Sequence, residues 1–185
     1  MTTDEYSLKL VALLVHTRRG GVMHNETSNS QSRVHVPQGG LYLEDLFVGQ
    51  RFTSGSLRMD EERIKSFAAE FDPQLFHLDS QAAPATVFRG LAASGWHTAA
   101  VTMRLLVSGG LPLGNGIIGL GGELAWPNPT RPGDDLHVES EIVEIVPSKS
   151  KPNQAVVKVK STTVNQEGKP VYVFTAKVLV FNRQG

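Results

Sequence analysis

Two segments of the chain place apolar residues at helical spacing, and the first of them covers residues 59–72, MDEERIKSFAAEFD. Its apolar side chains fall on one helical face: Ile64, Phe67, Ala68 and Phe71. Asp60 stands where an N-cap residue is favoured. Pro73 disfavours helical geometry at the residue before it, so this helix is predicted to end at Asp72.

The second helical segment is longer and more apolar. It is predicted to start between Ala93 and Gly95 and to stop at the glycine pair 109–110. Arg104 is the only formally charged residue between Gly95 and Ser108. A helix this apolar has to be covered on most sides, so we expect a sheet to wrap around it.

Strand-like patterns account for most of the remaining chain. A short strand is predicted near residues 50–56, before the first helix. Four longer runs rich in β-branched residues follow the second helix: GIIGLGGELAW, DLHVESEIVEIV, QAVVKVKSTTVN and VYVFTAKVLVF. The last run alternates, with one face formed by Tyr172, Phe174, Ala176, Val178 and Val180. The order predicts an α+β fold in which an antiparallel sheet folds over a buried helix.

The first 40 residues differ from the rest of the chain. They are rich in Asn, Ser and Gly after a short apolar run, LKLVALLVH, which is far too short to span a bilayer. We therefore expect a loosely ordered extension over residues 1–40 and a single domain over 41–185. The acidic start, MTTDEYS, argues against a signal peptide, so a cytoplasmic location without membrane association is expected.

Charge and cysteine content exclude several classes of function. The 18 Lys and Arg residues balance 18 Asp and Glu residues, and no dense basic run occurs, so a nucleic-acid partner is not expected. The chain contains no cysteine, which excludes disulfides, thiol nucleophiles and thiolate metal sites.

The candidate chemistry lies in the stretch FDPQLFHLD, which links the two predicted helices. Asp72 and His77 lie on what is predicted to be a loop, at a separation that lets a carboxylate and an imidazole share one water as an acid/base pair. The second helix begins nearby at Gly95, where free backbone N–H groups favour negative charge and can stabilise an oxyanion.

Two other interpretations of these residues remain open at this point. An Asp before Pro commonly forms a turn, and an isolated His is commonly a hydrogen-bonded structural group. A metal site formed by His77, Asp79 and a helix residue such as His97 is also possible, although the spacing matches no recognised ligand pattern.

The chain resembles the MaoC-like dehydratase family, which includes the (R)-specific enoyl-CoA hydratases. The resemblance lies in the segments FAAEFDPQLFHLD, FRGLAASGWHTAAVTMRLL and PTRPGDDL, and it covers about residues 41–182. The family motif spacing is kept at Asp72, His77, Asp79, Phe88 and Gly95. Three places depart from the usual motif: Pro73-Gln74 after the aspartate, Ser94-Gly95-Trp96 at the helix start, and Met103 where many members have a serine.

The resemblance implies a hotdog fold and a hydratase or dehydratase acting on 2-enoyl thioesters, without a metal or redox cofactor. Asp72 and His77 would be the catalytic pair, and the Gly95 N–H would be the oxyanion donor. Phe88, Ser94 and Trp96 are predicted to contact substrate, and Arg89 to meet the phosphates of coenzyme A or acyl carrier protein. A homodimer is expected, because one such unit leaves a sheet edge and an apolar helix surface exposed.

Two rival functions are kept beside the hydratase. The first is a hotdog thioesterase, a class that commonly carries Glu, Asp or Thr on the central helix. No carboxylate lies between Gly95 and Gly110, but Thr98 and Thr102 leave this alternative open. The second is a non-catalytic protein that binds an acyl ligand, because a fold alone does not decide function.

Overall fold

The computed structural model describes residues 38–183. The predicted extension therefore lies almost entirely outside the described residues. Within them, one six-stranded sheet is combined with three α-helices and short 3₁₀ turns. None of the described helices is both long enough and apolar enough to cross a lipid bilayer.

The three helices lie between the second and third strands of the chain. Helix α1 spans Glu61–Phe71, α2 spans Leu75–Leu78, and α3 spans Gly95–Leu105. Asp60 caps α1 by accepting a hydrogen bond from the Arg63 N–H at 2.8 Å, as the sequence predicts. A π-helical turn follows α3 over Leu106–Gly110. The backbone leaves helical geometry at Gly109, whose φ of 135° favours glycine.

All pairings in the sheet are antiparallel. The strands are β1 Arg51–Thr53, β2 Leu57–Arg58, β3 Ile118–Ala125, β4 Asp135–Pro147, β5 Gln154–Val164 and β6 Pro170–Phe181. Their order is β1-β4-β5-β6-β3, and β2 also pairs with β4. The single strand predicted over residues 50–56 is thus wrong in extent, since it is divided into β1 and β2, which pair with different parts of β4.

Helix α3 packs against the sheet through a face that mixes apolar and hydroxyl side chains. Val101 and Leu105 belong to the apolar core, which β4, β5 and β6 complete from the sheet side. The Thr102 hydroxyl lies 2.6 Å from that of Thr163 on β5, and both groups are buried. A buried hydroxyl pair of this kind fixes the rotation of α3 relative to the sheet, and therefore fixes where the start of α3 lies.

Strand β3 ends the sheet and is exposed along its whole length. Its inner edge pairs with β6, and in the described part of the chain no strand covers its outer edge. Large apolar side chains on and directly after it face solvent: Ile118, Leu120, Leu124 and Trp126. An apolar edge of this length is usually covered by another strand or another subunit.

Candidate active site

Asp72 terminates α1, and two hydrogen bonds hold its carboxylate. Its backbone leaves the helical region at φ −154° and ψ 68°. Oδ2 accepts a hydrogen bond from the Ser94 hydroxyl at 2.6 Å, and Oδ1 accepts one from the Gln74 amide at 2.7 Å. The carboxylate is thus oriented by the start of α3 and by its own loop.

His77 lies on the single-turn helix α2, so the prediction that it lies on a loop is wrong. Four residues are too short a segment for apolar periodicity to reveal a helix. The ring is 4% exposed, and Nδ1 lies 2.7 Å from the carbonyl oxygen of Ala92. A carbonyl only accepts hydrogen bonds, so Nδ1 carries a proton, and Nε2 is the ring nitrogen that faces Asp72. Nε2 lies 3.4 Å from Oδ2 of Asp72.

The environment of Asp72 favours its ionised form. Burial acts to raise the pKa of this carboxyl, but the hydrogen bonds from Ser94 and Gln74 and the charge of His77 outweigh burial and lower it. The side chain is 19% exposed, which leaves the carboxylate open on one side. The site therefore combines an ionised carboxylate with an imidazole nitrogen that can accept a proton.

Gly95 is the first residue of α3, and it lies directly under an indole ring. Ser94 is the N-cap, and its hydroxyl accepts the Trp96 N–H at 3.2 Å. The first N–H groups of a helix have no acceptor within the helix, so the Gly95 N–H is available to a ligand. A Cβ at this position would lie 2.8 Å from Cε2 of Trp126, which leaves room only for glycine.

The other predicted substrate contacts fall in different environments. Phe88 packs against Phe76 with ring centroids 4.8 Å apart, close to His77. Arg89 is exposed and holds a left-handed φ of 52°. Trp96 is 59% exposed. Ser94 is fully buried, so its side chain offers no surface for the predicted substrate contact and instead orients Asp72.

The residues of the alternative metal site do not form a cluster. Asp79 accepts hydrogen bonds from the N–H groups of Gln81 and Ala82, and these bonds lower the pKa of its carboxyl. The His97 ring stacks on Phe67 with centroids 4.6 Å apart. In residues 38–183, no group of three His, Cys, Asp or Glu side chains is arranged to hold a metal ion.

The two threonines that kept the thioesterase open have structural partners. Thr98 bonds to the Thr130 hydroxyl at 3.0 Å, and Thr102 to that of Thr163. Each of the two is 1% exposed. Neither hydroxyl is placed to attack a bound ester.

Sequence reasoning missed Arg131, which stabilises the segment before Ala92. Its guanidinium donates to the carbonyl oxygens of Gly90 at 2.9 Å and Leu91 at 3.0 Å, and also to that of Phe88. Arg131 thus fixes the loop whose next carbonyl orients the His77 ring. The motif RPGDDL marks a turn here, but nothing in it reveals a contact with a segment about 40 residues earlier.

Ser94→Ala is expected to raise the pKa of Asp72, because one hydrogen bond that lowers it is lost. A carboxyl with a depressed folded-state pKa stabilises the fold above its unfolded value, and that stabilisation disappears as the pH falls through the folded value. The stability advantage of wild type over Ser94→Ala should therefore shrink below about pH 4. Urea unfolding across a pH series measures it.

The matched control for this prediction is the same substitution in an Asp72→Asn background. In that background the loss of the helix cap remains, but the titrating carboxyl is absent. The decrease in the free energy of unfolding caused by Ser94→Ala should therefore not vary with pH. An equal pH dependence in both backgrounds would show that Ser94 does not act on the Asp72 carboxyl.

The central helix against an antiparallel sheet is the hotdog-type fold, and the structural neighbours that share it include MaoC-like dehydratases and (R)-hydratases. Residues 47–165 match the family model described as the MaoC like domain, and the chain belongs to the MaoC-like dehydratase family. The resemblance seen in the sequence is thereby confirmed.

Three known proteins illustrate the relationship. A MaoC-like dehydratase structure from Rhodospirillum rubrum is 62% identical, with a TM-score of 0.78, and the match covers 79% of this chain and 100% of that one. The R-hydratase PhaJ1 from Pseudomonas aeruginosa is 29% identical, with a TM-score of 0.64, over 77% of this chain and 86% of that one. The uncharacterized protein YdeM of Bacillus subtilis is 33% identical over 75% of this chain and 97% of its own length.

Proposed function

We propose that this protein is a hydro-lyase that adds water to a 2-enoyl thioester or removes it in the reverse direction. The observation that carries the proposal is the 3.4 Å approach of His77 Nε2 to the Asp72 carboxylate beside the free N–H groups of α3. Family membership and the similarity to an R-hydratase support the reaction class.

In the proposed hydration, Asp72 and His77 together bind one water molecule. The pair accepts a proton from this water while its oxygen forms a bond to the β-carbon of the enoyl group. Electrons of the double bond move toward the thioester carbonyl, whose oxygen becomes enolate-like. A proton held by the pair is then delivered to the α-carbon, so that the elements of water are added across the double bond.

The enolate-like oxygen is the charge that the site has to stabilise. In the proposal it accepts a hydrogen bond from the Gly95 N–H at the positive end of α3. A donor of this kind contributes about 3 kcal/mol, or roughly a hundredfold in rate. The thioester carbonyl has to approach the backbone closely, which a glycine permits.

The remaining substrate contacts follow from position. Phe88, whose ring centroid lies 6.1 Å from that of His77, and Trp96, in the first turn of α3, are proposed to contact the acyl group. Arg89 is exposed and is proposed to meet the phosphates of coenzyme A or of an acyl carrier protein. Ser94 is proposed to position Asp72 without contacting substrate.

The thioesterase is the weaker candidate. Helix α3 has no carboxylate, and the hydroxyls of Thr98 and Thr102 are already bonded inside the protein. A purely binding role would not require an oriented imidazole with a free Nε2 next to an ionised carboxylate.

The deciding experiment follows the loss of enoyl absorbance when purified protein meets 2-enoyl-CoA esters, with free thiol measured in the same cuvette. Loss of absorbance without thiol release is the expected result. Release of thiol would assign the protein to the thioesterases. If no ester reacts but the saturated esters still bind, the protein is instead a non-catalytic protein that binds an acyl ligand.

We also propose that the exposed β3 edge is covered by a second copy of the chain. Leu120→Lys places a charge in the middle of this edge and should convert a dimer into a monomer, because apolar contacts are lost and two like charges meet. Analytical ultracentrifugation of both proteins measures the mass. Val146→Lys, near the end of β4, is the control and should remain a dimer. A monomeric wild type would contradict this prediction.

Arg131→Ala should lower both stability and turnover. Three carbonyls lose a charged donor, at a cost of about 2 kcal/mol, and the segment that orients His77 is released. Turnover should fall by roughly tenfold or more, because small misplacements of a catalytic group are costly. Thermal unfolding and the enoyl assay test both effects. Arg131→Lys should retain only part of the wild-type stability and turnover, since an ammonium group cannot donate to three carbonyls in the fixed geometry of a guanidinium. Full activity in Arg131→Ala would exclude this role.

A further inference from the structure

A groove of about 540 Å³ lies between α1 and α3, and the proposed reaction as described above does not use it. Arg63, Phe67 and Phe71 line it from α1, and His97 and Arg104 line it from α3. These residues recur at spacings of four on α1 and seven on α3, so each helix presents one continuous face to the groove.

One end of the groove is lined by Phe71, the residue directly before Asp72, and the groove follows the two helices away from that end. Asp72 follows the last residue of α1, and its side chain is hydrogen-bonded to Ser94, the N-cap of α3. The end of α1 therefore lies beside the start of α3, and the two helices are antiparallel. Phe67 then stacks on His97 with ring planes 5° apart. Arg104 lies seven residues beyond His97, about 10 Å along the helix. If the reacting carbons of a substrate lie at Asp72 and His77, the rest of its acyl chain can extend along the groove.

His97 is an unpartnered polar group in the wall of the groove. The residue is 7% exposed, and its Nδ1 atom is the one buried side-chain nitrogen or oxygen without a partner in residues 38–183. Burial, and then the charge of Arg63, lower the pKa of His97 against an opposing influence of Asp60, so the ring is neutral near pH 7. Unpartnered buried polar groups are rare and cost about 1–3 kcal/mol, which a ligand atom could recover.

Positive charge lies at the end of the groove that is far from the catalytic pair. Arg104 has no carboxylate within ion-pair distance among the described residues. Arg63 pairs with Asp60 at 3.3 Å, but both side chains are half exposed, so this pair is weak and can exchange. Glu70 is the opposing charge in the groove, and it lies at the near end beside Phe71. Side chains of a helix lean toward its N-terminus, which directs Arg104 toward His97.

We propose that this groove binds the acyl chain of a substrate that carries a second carboxylate at its far end. The inference rests on the proposed hydratase function. The second carboxylate accepts a hydrogen bond from the His97 Nδ1–H and pairs with Arg104 and Arg63. The apolar part of the chain lies against Phe67 and Phe71.

The test compares two 2-enoyl-CoA esters of equal chain length, one ending in a carboxylate and one in a methyl group, with six carbons in each acyl chain. Wild type should prefer the carboxylate ester by tenfold or more in kcat/KM. His97→Phe keeps an aromatic ring on Phe67 but removes the donor, and Arg104→Gln removes the charge. Each should lower the preference at least fivefold. Arg51→Gln removes an exposed arginine of β1 and should leave the preference unchanged.

Binding of the two saturated esters, measured by calorimetry, separates this proposal from the reaction itself. Preferential binding of the carboxylate ester without any hydration would support the groove and contradict the hydratase. Hydration of both esters with no preference in wild type would overturn the groove and leave the hydratase standing. A preference that survives both His97→Phe and Arg104→Gln would also overturn it. Arg104 is exposed, so its variant is expected to fold even if His97→Phe does not.

Discussion

Asp72→Asn and His77→Gln should each lower kcat for enoyl hydration by about 10²- to 10⁴-fold, the range expected for the loss of general acid/base catalysis. Asparagine keeps the shape of Asp72 and can still accept the Ser94 hydroxyl, but it cannot take a proton from water. Glutamine can still donate to the Ala92 carbonyl from a buried position, yet it lacks the imidazole nitrogen that faces Asp72. Both variants therefore remove chemistry with little change of packing.

The double variant distinguishes a shared role from two separate ones. If Asp72 and His77 bind and deprotonate one water together, the double variant should be about as slow as the slower single variant. Asp79→Asn is the matched control: it is the same substitution seven residues later, at a carboxylate that caps a turn. A folded Asp72→Asn protein with turnover within threefold of wild type would exclude the proposed mechanism.

Gly95→Ala is expected to have the next largest effect, a loss of roughly 10- to 100-fold in kcat. The new methyl group would lie 2.8 Å from Cε2 and 3.0 Å from Nε1 of Trp126, and that nitrogen donates to the Gly95 carbonyl at 2.9 Å. Either the indole or the first turn of α3 has to move. Overpacking of this kind costs about 1–3 kcal/mol of stability. It would also displace the N–H proposed to stabilise the enolate-like oxygen.

A second variant shows whether the clash is the cause. Trp126→Ala removes the ring that the new methyl group would meet, so Gly95→Ala/Trp126→Ala should turn over faster than Gly95→Ala alone. Stability of the four proteins, from thermal unfolding, completes the cycle. Wild-type kcat in Gly95→Ala would show that the tight packing under Trp126 does not control the donor. Equal losses in the single and double variants would show that the methyl group obstructs substrate directly.

Local features of this protein could be predicted from the sequence, because they depend on residues close together in the chain. The cap at Asp60, the end of α1 before Pro73 and the start of α3 at Gly95 all follow from short-range rules. The antiparallel sheet around the helix follows from the order and length of the apolar runs. The motif spacing, with the family resemblance, drew attention to Asp72 and His77.

The contacts that complete the site could not be predicted in this way. Ser94 reaches Asp72 across 22 positions, and Trp126 reaches Gly95 across 31. Such contacts depend on how α3 is placed against the sheet, and no periodicity in the sequence records that placement. The unpartnered Nδ1 of His97 could not be predicted either, because the absence of a hydrogen-bond partner depends on all the residues packed around the ring.

The hydroxyl of Ser94 serves two neighbours at once, the Trp96 N–H and the Asp72 carboxylate. Anyone engineering this protein for heat resistance would meet a conflict here. Aspartate is as good a helix cap as serine, so a library selected only for thermal tolerance has no reason to reject Ser94→Asp. That change would set two carboxylates against each other and raise the pKa that the serine now helps to lower. Selection for durability alone would therefore not protect this position, and screening has to include turnover from the first round.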